Sequence, residues 1–139
     1  MKLVIVVLLA IGALANTPLP SENMITLGGP CGGSNPLFVV TSFTVSPWPV
    51  TAGEIVTFYM TGVFRQADRM SQLKIATQYE RGQINYINWD IDTSYSAGQT
   101  ATFSYGLQIG TFPGTYTETF TLSDGSSTFI ACWTFQYTV

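Results

Sequence analysis

The stretch Phe112-Pro-Gly-Thr-Tyr-Thr-Glu-Thr-Phe-Thr-Leu122, followed by Ser123-Asp-Gly-Ser-Ser127 and Thr128-Phe-Ile-Ala-Cys-Trp-Thr-Phe-Gln-Tyr-Thr-Val139, decides the fold. Two runs of β-branched and aromatic residues flank Asp124-Gly125, a pair that accepts the positive φ angles of a tight hairpin. Side chains alternate across a strand, so Thr115, Thr117, Thr119 and Thr121 share one face, and Tyr116, Phe120 and Leu122 the other. By the same period Phe129, Ala131, Trp133, Phe135 and Tyr137 share a face. The hairpin therefore has an aromatic side that must be covered and a hydroxyl-rich side that can meet water. Strict alternation also sets Glu118 among the aromatics, either at the mouth of an opening or turned out by a bulge.

The segments upstream read as what covers that aromatic side. Leu37–Ser46 is a strand stopped by Ser46-Pro47-Trp48-Pro49, since proline cannot donate to a ladder. Glu54–Thr61 follows, with Val56, Phe58 and Met60 on one face. Polar Gln66–Met70 reads as a surface loop, and Leu73–Glu80 alternates, with Leu73, Ile75, Thr77 and Tyr79 on one side. In Ile84–Ile91 the apolar set changes face between Tyr86 and Ile87, the pattern of a bulge or an edge strand. Asp92–Gln99 reads as a loop, and Thr100–Ile109 turns Phe103, Tyr105, Leu107 and Ile109 inward. About seven short strands with turn signals between them, and no helical period, predict an all-β fold: an immunoglobulin-like antiparallel β-sandwich.

The chain opens with Met1-Lys2, an apolar run from Leu3 to Leu14, and small residues at Ala13 and Ala15, the pattern of a secretory signal peptide over residues 1–15. That run is too short to span a bilayer, and no second apolar segment follows, so no transmembrane segment is expected. Residues 16–30 read as an irregular N-terminal arm and 31–139 as the domain proper. Without the leader the chain has four basic and eight acidic residues, a net charge of −4 with no basic patch, which argues against nucleic acid and anionic membranes as partners. In the oxidising compartment a leader implies, whether outside the cell or in an endomembrane or lysosomal lumen, Cys31 and Cys132 most simply form one disulfide.

The chain has no histidine, which excludes Ser-His-Asp and Cys-His nucleophilic systems and imidazole metal ligands. Asp90 and Asp92 lack a third carboxylate beside them and read as a solvated strand end, and Lys74 and Arg81 as surface charges. No cofactor, metal or catalytic residue is expected. Aromatic residues make up 14% of the chain and charged ones 9%, so the inner faces are bulky. Composition favours a filled core about 10 Å thick. Sheets that splay would instead leave an apolar cavity between them.

The order and spacing of Cys31, Ser46-Pro47-Trp48-Pro49, Ala52-Gly53-Glu54, Val56-Thr57-Phe58, Phe112-Pro113-Gly114-Thr115-Tyr116, Phe120-Thr121-Leu122-Ser123-Asp124 and Ile130-Ala131-Cys132 resemble the ML (MD-2-related) lipid-recognition domain family. That group includes the Niemann-Pick type C soluble sterol carrier and fungal phosphatidylglycerol/phosphatidylinositol transfer proteins. The resemblance implies sheets that separate at one end to admit a lipid, and a Cys31–Cys132 pairing. It departs in having this single bridge where most relatives carry two or three. The expectation is a secreted, non-enzymatic lipid binder that holds a sterol, fatty acid or phospholipid acyl chain. Its ligand would contact Val56, Phe58, Met60, Ile75, Tyr79, Phe103, Tyr105, Leu107, Tyr116, Phe120, Trp133 and Phe135, with Tyr79, Tyr105, Tyr116 and Glu118 as head-group partners. The alternative is an adhesive or structural module with a filled core, which would meet a protein partner through the Trp48 corner.

Overall fold

The computed structural model describes residues 26–126 and 129–139; the leader over 1–15 and the first part of the arm, 16–25, lie outside the described residues. Among the described residues eight strands form in chain order: β1 (Gly29–Pro30), β2 (Phe38–Ser46), β3 (Ile55–Phe64), β4 (Asp68–Tyr79), β5 (Ile84–Tyr95), β6 (Thr100–Gln108), β7 (Thr115–Ser123) and β8 (Phe129–Thr138). Every pairing is antiparallel. One sheet has the order β1-β8-β7-β4-β5 and the other β2-β3-β6. The two pack as a β-sandwich. Constant-type immunoglobulin domains place the fourth main strand in the sheet of the first two. Here that strand, β5, stays hydrogen-bonded to β4 and leaves a four-over-three arrangement of long strands. Among the described residues no helix is long and apolar enough to cross a membrane.

The final hairpin forms as its alternation requires. Tyr116, Glu118, Phe120 and Leu122 are buried while the threonines between them are half-buried, and Ile75, Phe120 and Trp133 line up across three adjacent strands. In β2 a bulge between Val40 and Ser42 adds one residue, so Phe38 and Phe43, an odd number apart, both point inward. Strict alternation, with no bulge, would set these two on opposite faces.

Three segments differ from the sequence reading. Gly29–Pro30, inside the expected irregular arm, pairs with Trp133 and Thr134 of β8. Asp68–Met70 and Asp92–Tyr95, expected as loops, pair with each other as Asp68↔Tyr95, Arg69↔Ser94 and Met70↔Thr93. Met70 is fully buried there and Tyr95 stacks on Phe64 at 4.4 Å, while the exposed Arg69–Asp92 ion pair (2.7 Å) masks the strand behind polar residues. The irregularity in β5 falls at Ile91-Asp92, with Asp92 at φ +48°, and not at Tyr86-Ile87.

Where the chain crosses from β6 to β7, the Tyr116 hydroxyl donates to the Phe112 carbonyl (3.1 Å). This is the tyrosine corner of immunoglobulin-like sandwiches. The Tyr116 ring lies where any side chain on Gly110 would have to go, so the glycine is required by close approach. Tyr116→Phe keeps the ring and loses the bond, and is expected to lower stability by about 1 kcal/mol in urea unfolding. Gly110→Ala, which must displace the ring, is expected to cost more.

Candidate functional site

The two long sides of the sandwich are built differently. On the β2–β8 side the backbone laces the sheets together: Leu27 N–H donates to Phe43 O (2.9 Å), and Leu37 N–H to Ile130 O (2.9 Å). The Cys31–Cys132 disulfide, with Cα atoms 5.1 Å apart, clips the same side. The opposite side is bounded by the outer strands β5 and β6, which belong to different sheets and do not pair with each other.

Residues directly opposite in an antiparallel pair point to the same face. Ile87 lies opposite Ile75 and Trp89 opposite Leu73, and both β4 partners are fully buried, so Ile87 and Trp89 face the interior. Yet Ile87 is 39% exposed and Trp89 37%. The three-stranded sheet is too narrow to cover them. Trp89 meets Tyr105 of β6 across the gap at 5.0 Å, and farther along Tyr95 of β5 meets Phe103 of β6 at 5.8 Å. This open edge is therefore closed by side-chain contacts between aromatic rings, and it presents apolar surface that points inward and remains accessible.

The twelve residues expected to touch ligand divide into two groups. Val56, Phe58, Met60, Ile75, Phe103, Leu107, Tyr116, Phe120, Trp133 and Phe135 are buried. Their centre is packed with the protein's own rings: across the sheets Phe120 lies 4.2 Å from Phe58 and 5.0 Å from Phe43, and Phe43 lies 5.3 Å from Phe135. Tyr105 is half-buried and Tyr79 40% exposed, toward the rim. Ile87 and Trp89 join Tyr105 there, although the sequence reading did not include them. Their signal was the apolar set in β5, which changes face because both of its faces carry large residues: Ile84 and Tyr86 outside, Ile87 and Trp89 inside.

Of the head-group candidates, Tyr116 spends its hydroxyl on the corner, and Tyr79 donates to Pro113 O (3.0 Å). Glu118 is fully buried, so alternation holds through it and no bulge turns it out. Its carboxylate accepts from Thr77 Oγ1 (2.7 Å) and from the Tyr137 hydroxyl (3.1 Å). Burial raises its pKa to about 7 against the pull of these two hydroxyls. Burial, and then the Glu118 charge, push the Tyr137 phenol upward.

A carboxyl whose folded pKa lies above its unfolded value stabilises the fold fully below the unfolded value, 4.5, and loses that contribution as pH rises through about 7. The full swing is about 3 kcal/mol. Wild-type stability in urea is thus expected to fall between pH 4.5 and 7. Glu118→Gln should flatten that slope and be the more stable protein at pH 8. Equal slopes in the two proteins would contradict the assignment.

Two surface depressions lie on the clipped side. One of about 290 Å³ is lined by the arm, Phe38, Val40 and Trp133 beside the disulfide; the other, of about 450 Å³, lies between Trp48 and the end of β8. Lys74, read as a bland surface charge, sits over the Tyr86 ring at 4.3 Å on the outer face. Among the described residues no group of three His, Cys, Asp or Glu side chains is placed to hold a metal ion.

The fold and this edge define a disulfide-clipped β-sandwich with one open, aromatic-rimmed side. A scan against family models and a search of curated proteins each return no match. Among solved structures the chain is similar to one titled "Crystal structure of the C-terminal domain of wzt", with a TM-score of 0.63 and 14% identity over 85% of this chain and 78% of that one. Similarity at that identity speaks to architecture alone.

Proposed function

We propose that the protein is a secreted or lumenal, non-enzymatic carrier that takes an apolar ligand, an acyl chain or a sterol, at the seam between β5 and β6. One observation carries this reading: Ile87, Trp89 and Tyr105 face the space between the sheets and yet remain open to solvent. The resemblance to ML lipid-recognition domains supports it, as does the asymmetry between a side laced by backbone bonds and a disulfide and a side closed by rings. Rings that touch through side chains part at lower cost than paired backbones, so an apolar molecule would slide in edge-on and lie against Trp89 and Tyr105. Removing roughly 300 Å² of apolar surface from water contributes about 7 kcal/mol before ordering costs.

A second reading is favoured by the ring packing around Phe120 and by Trp48, which is 43% exposed: a module with a filled core that meets a partner at its surface. Organic extraction of the purified protein followed by mass spectrometry separates the two. The carrier is expected to yield a stoichiometric lipid, or to bind a fluorescent sterol or fatty acid after delipidation, and Ile87→Asp should abolish the uptake. No co-purifying lipid and no probe binding would leave the module.

A further inference from the structure

The corner that ends β2 sits on the side opposite the proposed seam, and its chemistry is of another kind. The depression of about 450 Å³ there is walled by Trp48, Pro49 and Val50 on one side and by Thr115, Gln136, Tyr137 and Thr138 of β7 and β8 on the other. Among the described residues β1 pairs with the edge of β8 at Trp133 and Thr134, and Gln136, Tyr137 and Thr138 of β8 lie beyond that pairing, beside Trp48. The walls combine the indole of Trp48, a residue 43% exposed, with two threonine hydroxyls and an amide, and none of the seven lining side chains is charged at neutral pH.

The polar groups are already oriented. Thr115 Oγ1 and Thr138 Oγ1 are paired across the strands at 3.4 Å, and Gln136 Nε2 donates to Thr117 Oγ1 at 3.0 Å. That bond fixes the plane of the amide and leaves its Oε1 and second N–H for a ligand. A phosphate or carboxylate would find no cation in this wall, and a hydrocarbon would strand the hydroxyls and the amide. The ligand that matches is neutral, with an apolar ring face to lie on an indole and hydroxyls around its rim to bond an amide and two threonines.

We propose that the Trp48 corner binds a neutral saccharide, one pyranose stacking on Trp48 while its hydroxyls bond Gln136, Thr115 and Thr138. Small-molecule pockets run from about 300 to 1,000 Å³, so this one admits one or two sugar rings. A concave site of that size suits a glycan better than a globular partner, which needs about 800 Å² of matched surface. The proposal is independent of the lipid reading.

The test is ¹H–¹⁵N NMR of the full domain titrated with maltotriose, cellotriose, mannotriose and chitotriose to about 10 mM, a range that captures weak single-site binding. At least one sugar is expected to shift the Trp48 indole N–H and the Gln136 side-chain amide in a saturable way. Trp48→Ala should weaken that binding by about tenfold or more, and Gln136→Ala by about threefold or more, as expected for an anchoring aromatic and a single hydrogen bond. Both side chains are exposed, so an unchanged melting temperature checks that each variant folds. The proposal is overturned if none of the four sugars moves Trp48, or if Trp48→Ala binds as tightly as the wild type. It is also overturned if the Trp48 signal responds to protein concentration and to no sugar, which would mark a contact between two copies.

Discussion

Phe120→Ala is expected to lower the free energy of unfolding by about 3–5 kcal/mol, read from urea melts at constant m-value. Phe120 is fully buried and reaches Phe43, Phe58 and Phe135 at 4.2–6.0 Å, so its ring joins both sheets. Deleting it removes the transfer free energy of a large apolar group and leaves a cavity that the surrounding β-strands cannot close. Against a total of about 5–15 kcal/mol for a domain of this size, the variant would be marginal at 37 °C. A loss below about 2 kcal/mol would mean that the ring borders existing space, placing the ligand cavity in the centre of the sandwich instead of at its edge.

The second large effect is expected at the clip. Cys31 and Cys132 are 101 residues apart, and a closed loop of that length stabilises by roughly 4–5 kcal/mol in the chain-entropy model. The Cys31→Ser/Cys132→Ser double variant should lose about that much in urea. Hydrogen exchange should show where the loss begins: Leu27 and Leu37, whose amides bond Phe43 O and Ile130 O, lose protection first, while Phe120 at the centre keeps it longest. Uniform loss of protection would mean that the bridge stabilises the domain only as a whole.

How far the sequence is legible depends on whether one face of a strand is uniformly buried. In β7 the period of two runs unbroken from Thr115 to Ser123, so Tyr116, Phe120 and Leu122 fall on their expected face, whereas Glu118, expected at the mouth of an opening or turned out by a bulge, is fully buried between Thr77 and Tyr137. In β2 the bulge at Val40–Ser42 shifts the period by one, so plain alternation places Phe38 and Phe43 on opposite faces although both are buried. The start of β4 and the end of β5 were hidden because their outer positions carry Arg69 and Asp92, a polar pair that resembles a loop when read along the chain.

The candidate site was harder to read for a different reason. Period two shows which side chains share a face, but not how far a strand extends past the opposing sheet. Ile87 and Trp89 are exposed inward-facing residues because four long strands lie over three, a property of β5 pairing with β4 that no local pattern encodes. Trp48, the corner residue through which the sequence reading would have a protein partner dock, is exposed.

Ligand entry at the seam between β5 and β6 is tested by quenching of tryptophan fluorescence with a fatty acid brominated along its chain. Bromine quenches on contact, and of Trp48, Trp89 and Trp133 only Trp89 lies on the seam. Saturable quenching is expected, which Trp89→Phe removes while binding of the lipid, measured by mass spectrometry, persists. Quenching that survives Trp89→Phe, or a titration with no quenching at all, would contradict entry at the seam.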